Sequence, residues 1–194
     1  RVCVSEEDGA NLLQVRLENL AAGHSFPSGA AQDRRVWVEV VARDEAGEVL
    51  FESGVIADDE PVSLAELEDE NLWRFGDRAY GVDGHEAHMF WEIASVESNL
   101  LQAPTAFTPL DPDYTDVHQR RDYTYFGPAP AEVTAKVHIR AMGLDVLLDL
   151  VESGDLDPVH VDAFETLTLA NSVVTWEASI EGKCQPPDHE GNLP

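Results

Sequence analysis

The 194-residue sequence predicts a mainly β protein: an antiparallel β-sandwich, immunoglobulin-like in broad architecture, with one or two short helices. Two observations carry that expectation. Several short segments alternate apolar and polar side chains, the pattern of half-buried strands. Only one segment, with Leu144, Leu147, Leu148 and Val151, repeats at convincing helical spacing. The regular alternation of helices and strands that builds a parallel sheet is absent.

Taken in order, Leu13, Val15 and Leu17 alternate with Gln14, Arg16 and Glu18, which predicts the first strand. A loop built on Gly23-His24-Ser25-Phe26-Pro27-Ser28-Gly29 follows. Val36, Val38, Val40 and Ala42 then share one face of a strand, and Trp37, Glu39, Val41 and Arg43 share the other. Trp37 on the nominally outer face implies a second packed layer, an interface or a buried sandwich tryptophan. Asp44–Gly47 turns this strand into a partner at 48–54. Residues 57–71 are strongly acidic, with Leu64 and Leu67 as the expected anchors of a short helix. An aromatic and basic island, residues 72–78, comes next, and alternation predicts a strand at 88–96 with Met89, Trp91 and Ile93 on one face. Residues 99–121 are expected as a long loop, with strands at 122–126 and 132–140. In the latter, Val133, Ala135, Val137 and Ile139 face inward and His138 outward. Gly154 and Pro158 end the helix. Val174, Trp176, Ala178 and Ile180 form the inner face of a last strand. The expected organisation is one domain over 1–184 and a flexible tail over 185–194.

Asp and Glu number 38 against 12 Lys and Arg, a formal charge of −26. Such a surface repels nucleic acid and anionic lipid, and suits a basic partner, divalent cations or a saline medium that screens self-repulsion. No apolar run approaches the ~20 residues of a membrane-spanning helix, so membrane insertion is not expected. Cys3 and Cys184 are the two cysteines; they form either one long-range disulfide, as in an oxidising compartment, or two unrelated thiols. Neither Gly-x-Gly-x-x-Gly nor a phosphate loop occurs. Ser25 and Ser28 neighbour His24, but no nucleophile elbow surrounds them. No catalytic constellation emerges, and enzymatic activity is not the expectation.

Three histidines merit attention. His24, between two glycines and ahead of Pro27, is placed either to ligate a metal or haem iron, or to brace its loop through a backbone carbonyl. His85 and His88 are an i, i+3 pair that converges on one ion in a turn but diverges in a strand. With Glu86 or Asp83 they would suit zinc or copper. Asp111–Asp116 offers oxygen ligands for calcium, although it lacks the glycine and terminal glutamate of an EF-hand.

Gly23–Gly29, Arg34–Val40 and Gly47–Gly54 together resemble the β-rich C-terminal domain of multihaem c-type cytochromes. His88–Glu92, Arg140–Leu147 and Leu150–Pro158 extend the resemblance to about residues 11–178. It implies an accessory, non-catalytic domain of an extracytoplasmic (periplasmic or extracellular) electron-transfer protein. In that role His24 would approach a haem, with Arg34, Arg35, Arg120 and Arg121 positioning acidic groups. No Cys-x-x-Cys-His motif is present, so the haem c would be supplied by another segment or chain. The alternative is a metal-binding surface module that uses His24, His85 and His88 with copper, zinc or calcium and no haem.

Overall fold

In the computed structural model, which describes residues 1–20, 22–106, 108, 110–112, 117–179 and 184–185, the chain forms an antiparallel β-sandwich with two short α-helices. The first sheet contains β1 (Val2–Glu7), β2 (Ala10–Glu18), β8 (His118–Tyr125) and β12 (Cys184–Gln185), in the order β12-β1-β2-β8. The second is built on β3 (Arg35–Arg43) and β9 (Glu132–Arg140), which pair antiparallel along their full lengths. β4 (Val49–Ser53) and β5 (Trp73–Phe75) share the far edge of β3, while β10 (Leu167–Thr168) and β11 (Val174–Glu177) share that of β9. A separate two-stranded sheet joins β6 (Asp77–Tyr80) to β7 (Ser95–Ser98).

The core lies where the alternating faces meet. Val2, Val4, Leu13, Val15 and Tyr123 from the first sheet pack against Val36, Val38, Val40, Val133, Ala135, Val137 and Trp176 from the second. Burial of this apolar surface is the main driving force for the sandwich. The hairpin β1–β2 was not anticipated. Its signal was nonetheless present: Asp8-Gly9 takes positive φ at both residues, 53° and 80°, as the preferred two-residue hairpin turn requires. Cys3 sits opposite Cys184 across β1–β12 and the two form a disulfide, tying the last strand to the first.

The outer face of the second sheet carries another layer. Trp37 is buried beneath α1 (Val62–Glu68), with Val62, Ala65, Leu72 and Ile56 around it. Its indole N–H donates to the Gly54 carbonyl at 3.0 Å. Gly54 has φ +72° and lies against the Val38 backbone, so a side chain there would collide. Leu64 and Leu67, the expected anchors of this helix, point into solvent instead. The covered outer face also corrects the placement of His138, which is buried between Glu39 at 3.0 Å and Thr168 at 3.0 Å. α2 (Leu144–Glu152) buries Val146 and Leu147 and ends at Gly154, φ +83°.

The strand expected over 88–96 is displaced to Ser95–Ser98, with 89–92 in a turn, and β8 begins at His118, inside the loop expected over 99–121. Ile180 and the expected tail from residue 186 onward lie outside the described residues. Among the described residues, no helix is long and apolar enough to cross a membrane.

Candidate functional site

The loop between β2 and β3 is held from below by one buried side chain. Asn19 donates through Nδ2 to the His24 carbonyl at 2.7 Å and, more weakly, to that of Leu101. Its Oδ1 accepts from the Ala22 N–H at 3.2 Å. A reciprocal pair of backbone bonds, both 2.8 Å, joins Phe26 to Leu101. Pro27 is buried under the loop, and its peptide bond with Phe26 is cis. The backbone of the loop is thus specified while His24 itself stands exposed. Its Nδ1 lies 2.9 Å from the Ser25 carbonyl. An Nδ1–H donated to that oxygen leaves Nε2 as the basic nitrogen, turned away from the bond, which is the tautomer an imidazole ligand uses. The Nδ1 contact is the loop bracing that the sequence allowed, made by a ring that stays exposed.

Arg34 and Arg35 have different fates. Arg34 is half-buried, lies against Gly29 and makes no ion pair among the described residues. Arg35 is 0% exposed. It donates through Nη2 to Asp145 at 2.7 Å and through Nη1 to the Gln32 carbonyl at 2.7 Å. Gly143, at the start of α2, leaves the space these two side chains occupy, and its N–H donates to the Asp33 carbonyl at 2.7 Å. Arg35 thus locks the turn before β3 to α2 from inside the protein. Burial alone would raise the Asp145 carboxyl, but the Arg35 guanidinium, helped by hydrogen bonds from Ser63 and the Val146 N–H, holds it below the usual range.

His85 and His88 have different surroundings. His85 is exposed on a segment that bridges β6, with Gly81 N–H donating to its carbonyl at 2.9 Å. His88 turns inward between two carboxylates: Nδ1 lies 4.0 Å from Asp33 Oδ1 and Nε2 lies 3.7 Å from Asp149 Oδ2. An ion bound at one ring nitrogen would reach only one of these acids. Asp33 and Asp149 thus face opposite nitrogens of one ring. Among the described residues no group of three or more His, Cys, Asp or Glu is placed to hold a metal ion. Most of the calcium candidate, residues 113–116, lies outside the described residues.

A cleft of about 460 Å³ opens at the other end of β3, with Arg43, Glu45, Glu132 and Glu177 among its walls. It is separate from the His24 loop. Two residues misread in the sequence stand out on the surface: Phe90 and Trp91, expected within a strand, are 72% and 80% exposed. No sequence signal identifies them: 88–94 alternates as a strand does, and only the structure shows that, among the described residues, no strand pairs with it.

No family model and no curated protein matches the chain. Among solved structures, a penta-heme cytochrome c552 from Thermochromatium tepidum is similar in fold, with a TM-score of 0.51 and 21% sequence identity. The likeness covers 91% of this chain and 38% of that one, so the chain spans well under half the length of that cytochrome. At this identity the comparison establishes a shared architecture for the sandwich.

Proposed function

We propose that this chain is an accessory domain of an extracytoplasmic multihaem electron-transfer protein, and that His24 meets a haem carried by another segment or chain. The observation that carries this reading is the exposed His24 ring, whose Nδ1 is tied to its own loop, which leaves Nε2 as the nitrogen for a ligand. The donor set fits the group: an imidazole nitrogen suits haem iron, and the half-buried Arg34 suits a propionate. A haem bound there supplies electron transfer; the chain's own part is to present and orient the imidazole. The two cysteines are joined to each other, so no thiol is left for thioether attachment, and the haem must come from elsewhere. The disulfide supports an oxidising compartment, and the fold shared with a penta-heme cytochrome supports the haem-bearing partner.

The test is a titration of the purified chain with a soluble haem-c peptide that has one open axial position. The wild-type chain is expected to convert the high-spin Soret band to a low-spin spectrum. The H24A variant loses that conversion and the H85A variant keeps it. An H24A variant that converts the haem as well as wild type does, or a wild-type chain that leaves the spectrum unchanged, sinks the assignment.

A further inference from the structure

Residues 79–98 contain Asp83, Glu86, Glu92 and Glu97 and no lysine or arginine. They span the second half of β6, after Arg78, together with β7 and the excursion between the two strands, in a unit outside both sheets of the sandwich. Its base is fastened by charge. Arg74, almost wholly buried, reaches Glu66 at 3.2 Å and Glu86 at 3.7 Å; Arg78 pairs with the same Glu66. His88 lies between Asp33 and Asp149. Backbone bonds shape the rest: Ala87 N–H donates to the Ala79 carbonyl, Ala94 N–H to that of Tyr80, and Glu92 N–H to that of Met89.

A segment so firmly built would be expected to turn its apolar side chains inward. It does the opposite, exposing Val82 by 97% as well as Phe90 and Trp91. Aromatic side chains have only two χ angles to fix on docking, and they are the residue types that dominate binding energy at interfaces. Glu92, next to Trp91 in the chain, and the other acids of a segment without lysine or arginine favour a basic rim on the partner. An apolar surface ringed by Lys and Arg complements this tip, whereas an acidic or anionic surface is repelled by it and by the net charge of −26.

We propose that the Phe90–Trp91 tip is the docking knob for the haem-bearing partner, seated on an apolar face of that partner rimmed by basic side chains. The partner's identity as a haem module rests on the function proposed above; the chemistry of its surface rests on the tip itself.

Isothermal titration of the full chain with a basic monohaem cytochrome c, whose haem edge is ringed by lysines, tests this at about 50 and 300 mM NaCl. The variant F90A/W91A should bind at least tenfold more weakly at both salt concentrations. The variant F126A, which removes an equally exposed aromatic elsewhere and also preserves charge, should stay within twofold of wild type. The variant D83N/E92Q should flatten the salt dependence. Equal binding by F90A/W91A and F126A would assign the attraction to overall charge and overturn the proposal, as would no binding by wild type. So would a wild-type dimer that F90A/W91A converts to monomer, since the tip would then belong to a second copy of the chain. An H24A variant that loses haem ligation but keeps the binding heat separates failure of the His24 reading from failure of the tip.

Discussion

Adjacent residues 34 and 35 illustrate how strongly a backbone divides two identical side chains. Arg34 stays at the surface near the His24 loop, while Arg35 enters the interior and pairs with Asp145. A double arginine in sequence says nothing of this division, because the partner that draws Arg35 inward is 110 residues away. Removing one member of a buried pair leaves an uncompensated charge, at a typical cost of about 3 kcal/mol. Asp145 and its neighbour Asp33 then make opposite contributions to stability. The Asp145 carboxyl is held below its unfolded value, so it stabilises the fold above the ordinary carboxylate range and loses that effect as pH falls through its folded value. Burial raises the Asp33 carboxyl, outweighing the attraction of His88 and Arg35. Its contribution is present below the unfolded value and is lost as pH rises through the folded one. D145N is therefore expected to lose about 3 kcal/mol at pH 7, with a smaller difference near pH 3, whereas D33N should be more stable than wild type at pH 7. Urea unfolding at the two pH values measures both; a D33N variant weaker than wild type at pH 7 would show that the sign for Asp33 is wrong.

Helix α1 shows the same limit at the level of an element. Its existence within an acidic run was legible, but its buried stripe was not. Leu64 and Leu67 are the larger apolar residues, yet Val62 and Ala65 face Trp37 and Leu72. The face a short helix buries is set by what lies beneath it, and here that is a tryptophan on the outer side of β3. V62A should cost about 2 kcal/mol through lost burial and the cavity left behind, and L67A should remain within about 0.5 kcal/mol. Thermal unfolding of the two variants decides between the stripes, and a larger loss in L67A would reverse the assignment. Strands β3 and β9 and the β3–β4 hairpin were readable because their alternation is long or their turn chemistry is local. Residues 88–94 alternate too, but among the described residues no strand pairs with them, and alternation without a ladder does not hold a segment extended. Within the candidate site, the His24 loop was legible from its glycines and proline. Asn19, which holds that loop, was not, since its contacts are with backbone carbonyls that carry no sequence signal.

The whole molecule must fold against its own charge. Thirty-eight acids face twelve Lys and Arg, so even complete one-to-one pairing would leave 26 carboxylates without a cationic partner. The cations present are concentrated in specific networks. Arg35 joins α2 to β3, Arg74 and Arg78 share Glu66, and Lys136 pairs with Glu39, which also hydrogen-bonds the His138 ring, on the covered face of the second sheet. Burial would raise the Glu39 carboxyl, but those two hydrogen bonds hold it low. Salt acts on the two classes of interaction in opposite directions. It weakens exposed ion pairs, each worth at most about 1 kcal/mol, and it screens the repulsion among the excess carboxylates. Buried pairs such as Arg35–Asp145 are screened far less, and few of the others are both exposed and well aligned. Repulsion therefore dominates the salt response. The melting temperature should rise by about 5 °C or more between ~0.02 and 1 M NaCl, equivalent to ~2 kcal/mol of stabilisation at this chain length. Calorimetry in chloride salts, rather than in sulfate or phosphate, isolates screening from the surface exclusion that those anions add. A melting temperature that falls across this range would mean that ion pairs outweigh self-repulsion, and that the acidic surface is tied down by its few cations rather than held apart by its own charge.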